Sequence, residues 1–168
     1  MVSRKKILIL AALAAASAAP APAETVTPVA PVRDASWHNA QFLYLLNLKS
    51  ADGWRSTASG LRYRRVKAGA AGAPHPSPTD TVTIHYDGRF LTGAQFDSSV
   101  ARGEPATFPL PRLIQGWQEG VPLMAVGDTF EFAIPYSLAY GAKGKGPIPG
   151  GATLLFTIEL IGIGEAVG

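Results

Sequence analysis

The stretch Leu113-Ile114-Gln115-Gly116-Trp117-Gln118-Glu119-Gly120-Val121 decides how this chain is read. Its apolar residues at 113, 114, 117 and 121 recur at a helical spacing and mark one face. It is the only helical pattern in a C-terminal half that otherwise reads as strands. Pro111 suits a helix entry, because a first-turn N–H has no intrahelical acceptor to lose. Pro122 cannot continue the helix. Trp117 lies in the middle of the apolar face, so its ring points at whatever sheet the helix covers, and Gly116 beside it permits close approach. The indole is either a plug for a small core or the floor of a pocket, and the neighbouring sequence has to separate the two.

On both sides of this helix the period changes to two. From Ser59 onward, Leu61 and Tyr63 alternate with Arg62 and Arg64, which predicts a strand with one wet face. Ala68 to Pro78 is Gly/Ala/Pro punctuation and reads as a loop. Val82, Ile84 and Tyr86 share a face, with Thr81, Thr83 and His85 opposite. Asp87-Gly88 and Thr92-Gly93 read as turns around a further short strand at Gln95-Phe96-Asp97. Ala106, Phe108 and Leu110 form another inward row. Beyond the helix, Phe130, Phe132 and Ile134 alternate with Thr129, Glu131 and Ala133, and after a Gly/Pro-rich loop from 135 to 151, Leu154, Phe156, Ile158 and Leu160 share one face of a last strand. The expectation is an α+β domain: an antiparallel curled sheet of about five strands wrapped around one short helix.

The N-terminus carries different information. Arg4-Lys5-Lys6, the apolar run Ile7 to Ala19 and the small-residue site Ala21-Pro22-Ala23 have the order of an export signal, too short to span a bilayer comfortably. Residues 1–23 are therefore expected to be removed, leaving Glu24 first and a soluble, periplasmic product. They hold three basic residues and no acid, so the 15 basic and 12 acidic residues of the whole chain become 12 and 12, a formally neutral product. Neutrality removes the electrostatic case for a nucleic-acid partner. Residues 24–58 read as a tether followed by a short helix, Trp37 to Leu48, N-capped by Ser36 and presenting Phe42, Leu45 and Leu46. The domain proper is expected over 59–165. A 47% hydrophobic, 16% charged composition suits a globular domain.

Covalent chemistry is thin. The chain has no cysteine, which excludes disulfides, thiolate ligands and cysteine nucleophiles. There is no nucleophile elbow, no metal-ligand spacing and no phosphate loop, so no metal and no cofactor are expected. Aromatic residues stand out instead. Tyr86, Phe96, Phe108, Trp117, Tyr140 and Phe156 all fall on inward faces or at their ends, more rings than a small core needs as filler. Beside them, Asp97 at a strand end offers a polar anchor.

The runs Val82-Thr83-Ile84-His85-Tyr86-Asp87-Gly88, Phe96-Asp97-Ser98-Ser99, Leu113 to Gly120, Ala139-Tyr140-Gly141 and Ala152 to Leu160 come in the order of the FK506-binding-protein family of peptidyl-prolyl isomerases. The chain resembles that family over roughly 59–164, and its exported arrangement is similar to the bacterial Mip-like and FkpA-like branch. The resemblance implies an isomerase of X–Pro bonds that assists folding of exported proteins, with a chaperone-like binding module of weak activity as the alternative. It implies a pocket formed by Tyr86, Phe96, Asp97, Leu113, Ile114, Trp117, Tyr140, Ile148 and Phe156, with Arg102 near Asp97 or Tyr86. In that pocket Trp117 would be the floor, Tyr140 a hydroxyl donor and Ile148 part of a flap. The implied partners are proline-containing unfolded polypeptides and the macrolides FK506 and rapamycin. Three departures stand out: Ala106 replaces a pocket-edge aromatic, the acidic residue before the helix is missing, and the flap loop, Lys143 to Gly151, is shorter and more basic. With only a short N-terminal helix, a monomer is expected rather than a dimer.

Overall fold

A computed structural model describes residues 33–164, and in that span the period-two stretches become one antiparallel sheet. The expected export signal lies outside the described residues, as does most of the tether. In chain order the elements are α1 (Ala35–Asn47), β1 (Arg55–Ser56), β2 (Arg62–Lys67), β3 (Thr81–Arg89), β4 (Gln95–Ser98), α2 (Ser99–Arg102), β5 (Ala106–Pro109), α3 (Gln115–Gly120), β6 (Thr129–Ile134), β7 (Gly144–Lys145), β8 (Ile148–Pro149) and β9 (Leu154–Gly164). The sheet order is β1-β2-β6-β9-β3-β4, with β5 also paired to β3, and β7 and β8 make a separate ribbon. The α+β architecture is as expected, but the sheet has seven strands rather than about five. The two-residue β1 has no alternation to mark it, and the short strands β4 and β5 divide one edge of β3 between them. The first half of β3 pairs with β5 through Val82–Phe108, and its second half pairs with β4 through Gly88–Asp97.

β3 and β9 form the spine, paired from Thr81–Gly164 to Arg89–Leu155 with one register shift between Thr83 and Ile84. Their inward rows, Val82, Ile84 and Tyr86 on one strand and Leu154, Phe156, Ile158 and Leu160 on the other, are buried, as are Phe130, Phe132 and Ile134 of β6. Each such apolar side chain contributes about 1.5–3 kcal/mol on burial, so these rows supply most of the adhesion. α3 lies directly on β6, and its glycines explain how. A Cβ at Gly116 would sit 2.5 Å from Ile134 Cγ2, and one at Gly120 would sit 2.6 Å from a ring carbon of Phe132.

The helix is shorter than its sequence pattern. Leu110–Arg112 and Val121–Leu123 are 3₁₀ turns on either side of α3, and Leu113 and Ile114 are extended residues leading into it. Pro111 therefore sits in the entry turn, and Pro122 in the exit turn.

Three local expectations are corrected. Asp87-Gly88 is no turn, since β3 continues to Arg89. The glycine is required because a Cβ there would come within 2.8 Å of ring carbons of both Phe96 and Phe156. In α1 the N-cap is Asp34 rather than Ser36, its carboxylate accepting the Trp37 N–H at 2.9 Å. The inward residues of α1 are Gln41 and Leu45, whereas Phe42, Leu43 and Leu46 are exposed. The helix docks through Leu45, through Trp37 packed against the core, and through a polar contact in which the Thr153 N–H donates to Gln41 Oε1 at 2.9 Å.

Candidate active site

Tyr86 and Gly88 point inward at consecutive alternate positions of β3, and the space above Gly88 admits the Phe96 ring from β4 and the Phe156 ring from β9. Trp117 rises from α3 into the middle of this group. Its indole meets Tyr86 edge-on at 5.3 Å between ring centroids, Phe156 at 5.1 Å and Phe108 at 6.3 Å, while Phe96 meets Phe156 edge-on at 5.5 Å. Edge-to-face rings brace one another without filling the space between them. They surround a cavity of about 590 Å³. Trp117, Tyr86, Phe156 and Ile148 are each less than a tenth exposed, so its walls are part of the core.

The polar end of the cavity is built by the run Phe96-Asp97-Ser98-Ser99. Ser98 caps α2 by accepting the Ala101 N–H at 3.1 Å. Ser99 is fully buried, and its hydroxyl accepts the Tyr86 N–H at 2.7 Å, which ties α2 to β3. Gly103 closes α2 in the left-handed conformation, φ +77°, and Arg102 in the last turn reaches back over Asp97. Arg102 pairs with the Asp97 carboxylate and donates to the Tyr86 hydroxyl at 2.9 Å, and that hydroxyl donates to Asp97 Oδ2 at 2.6 Å. Four residues of helix thus arrange a closed triad of Tyr86, Asp97 and Arg102.

The triad sets the protonation states. Burial pushes the Asp97 carboxyl up, but the Tyr86 hydroxyl and the Arg102 guanidinium outweigh it and hold the carboxyl below its ordinary value. Tyr86 is raised by burial and by its bond to Asp97. Tyr140 is raised by burial and then by the Asp97 charge. At neutral pH the site therefore presents one carboxylate and two neutral phenols. The Tyr140 hydroxyl makes no hydrogen bond among the described residues and is free to donate to a ligand.

Of the residues singled out in the sequence, Tyr86, Phe96, Asp97, Leu113, Ile114, Trp117, Tyr140, Ile148 and Phe156 all line this one cavity. Arg102 stands behind it, bonded to both Asp97 and Tyr86. Phe108 completes the ring wall; it was legible as an inward aromatic. Arg112, Lys145, Gly146 and Pro147 also line the cavity, and no periodicity in their loops points to them. Among the described residues no group of three or more His, Asp or Glu side chains is arranged to hold a metal ion.

Residues 72–161 match the family model described as FKBP-type peptidyl-prolyl cis-trans isomerase. The chain is 50% identical over 120 residues to the FKBP-type isomerase FkpA of Aeromonas hydrophila, covering 71% of this chain and 44% of that one. It is 40% identical over 121 residues to the isomerase Mip of Coxiella burnetii, covering 71% and 52%. Its fold is similar to the crystal structure of FkpA from Escherichia coli, with a TM-score of 0.74, 35% identity, and 80% and 63% of the two chains covered. The chain spans about half the length of the curated relatives it matches.

Proposed function

The chain belongs to the FKBP-type peptidyl-prolyl cis-trans isomerases, in the branch that includes FkpA and Mip, and from that premise we propose that it accelerates rotation about X–Pro peptide bonds. The observation that carries this reading is the cavity itself: an apolar chamber floored by Trp117 with a carboxylate and a free phenol at its edge. The barrier to rotation is amide resonance, about 18–20 kcal/mol, which leaves the unaided step at tens to hundreds of seconds. As the C–N bond twists, conjugation is lost and the amide becomes less polar. A dry pocket favours that form over the planar, hydrated one, so binding is tightest at the twisted geometry. Trp117, Phe96, Phe156 and Ile114 would grip the prolyl ring and exclude water. Asp97 and Tyr140 would hold the rotating carbonyl and the flanking amides, with Tyr86 and Arg102 fixing Asp97. No covalent bond is made or broken, so neither a nucleophile nor a cofactor is needed.

The substrates would be proline-containing unfolded polypeptides, and the setting would be the periplasm. The basic and apolar runs over 4–19 support export, and among the described residues no helix is long and apolar enough to cross a membrane. The isomerase domain would occupy 59–165, after a signal over 1–23 and a linker with α1 over 24–58. A monomer is expected, which light scattering checks. FK506 and rapamycin would bind the same cavity, weakened where Ala106 leaves the edge open.

The test is a proline-peptide isomerisation assay on the chain and two variants. Trp117→Leu and Asp97→Ala should each lower kcat/KM by about tenfold or more, equivalent to ~1.4 kcal/mol of transition-state stabilisation, while circular dichroism is unchanged. Unaltered rates in both variants would remove these roles.

A further inference from the structure

Resting on the isomerase reading above, we infer that the mouth of the cavity selects prolines flanked by an acidic residue, through Arg112 and Lys145. Both line the cavity, and both are exposed at its rim. Five ion pairs join the described residues, and neither Arg112 nor Lys145 takes part in any of them. Asp97 is the one carboxylate on the cavity wall, and Arg102 and Tyr86 already occupy it. The rim therefore carries two uncompensated positive charges beside an internally neutralised pair.

Both cations stand on fixed backbone. The Gln118 side chain donates from Nε2 to the carbonyls of Pro111, at 3.3 Å, and Leu113, at 2.6 Å, and so clamps the chain on either side of Arg112. Lys145 lies in β7, in register with the buried Ile148 of β8. Gly144 before it has φ +74°, and a Cβ there would sit 2.2 Å from the Ile148 carbonyl oxygen, so the ribbon closes too tightly for another residue. Charges held beside low-dielectric walls act more strongly on a bound ligand than charges on a mobile loop. A peptide whose proline sits over Trp117 brings its neighbouring side chains to this rim. A glutamate or aspartate there meets two free cations, and a lysine meets repulsion.

The experiment measures kcat/KM by protease-free NMR exchange, so that no protease adds a charge preference of its own. The substrates are tetrapeptides with Glu-Pro, Gln-Pro or Lys-Pro and with Pro-Glu or Pro-Lys at their centre. One solvent-facing pair is worth a factor of roughly 1.4–5, so the better acidic peptide should exceed its lysine counterpart by about five- to tenfold at low salt. The ratio should shrink as ionic strength rises, because the screening length falls from ~30 Å at 0.01 M to ~10 Å at 0.1 M. In the Arg112→Gln/Lys145→Gln variant the acid-to-lysine ratio should approach one. Wild-type ratios near one on both sides of the proline, with the Gln-Pro peptide turned over well, overturn this inference and leave the isomerase reading intact. A ratio that survives in the double variant overturns the assignment to these two residues. No turnover of any peptide overturns the isomerase reading, and this inference with it.

Discussion

Replacing Tyr86 with phenylalanine removes one oxygen from the triad at the cavity edge and leaves the ring where it is. The lost hydroxyl donates to Asp97 at 2.6 Å and accepts from Arg102 at 2.9 Å. A hydrogen bond to a charged group is worth about 1.5–3 kcal/mol when water cannot replace it. The Asp97 side chain is 46% exposed, so water recovers part of that, and the expected cost is about 1 kcal/mol at pH 7. The cost should depend on pH, and its sign follows from the depressed Asp97 carboxyl. A carboxyl lowered on folding adds stability above its unfolded value of about 3.9, and that stability is lost as pH falls through the folded value. Phenylalanine lets Asp97 rise toward its ordinary value, so wild type and variant should differ most at neutral pH, and the difference should shrink only as pH falls below about 3.9 through the depressed folded value. Urea denaturation of both proteins at pH 7, 5 and 3 reads this directly. A cost of the same size at pH 3 as at pH 7 would show that the hydroxyl acts through packing and would refute the electrostatic account of the triad.

Gly88→Ala places a methyl group within 2.8 Å of the Phe96 and Phe156 rings; overpacking of this kind costs about 1–3 kcal/mol. Because the rings yield before the backbone, Tm should fall modestly while KM for a proline peptide rises, and calorimetry with steady-state kinetics would separate the two. Gln41→Ala removes the acceptor of the Thr153 N–H, which belongs to a residue 2% exposed. An orphaned buried donor costs about 1–3 kcal/mol, and hydrogen exchange should show amide protection in α1 falling before that of the sheet.

The spine of this fold was legible because alternation in β3, β6 and β9 gives each strand an apolar inward row. The hub helix was legible for a different reason: its two glycines and its tryptophan make sense only against a sheet, and Ile134 and Phe132 occupy the space those glycines vacate. What escaped was tertiary in origin. Asp87-Gly88 has the composition of a turn, yet its glycine answers to two rings delivered from β4 and β9. Phe42 and Leu46 look like the inward face of α1, but the helix turns Trp37, Gln41 and Leu45 inward instead, and the Gln41–Thr153 bond is a contact no periodicity encodes. In the site, Tyr86, Phe96, Phe156 and Trp117 were readable from the periodicity of their elements. Arg112 was not, and Lys145 was legible only as part of a basic flap, since composition does not say which side chain overhangs a cavity.

β9 is flanked by β6 and β3, and it also supplies Phe156 to the cavity wall. Its partners along β3 lie some seventy positions earlier in the chain, so closure of the sheet depends on distant segments meeting, the slow class of folding event. A nascent chain that has not yet released residues 154–164 therefore has no chamber at all. The molecule proposed to hurry other polypeptides through a slow step can offer no help, to itself or to them, until its own longest-range pairing is complete.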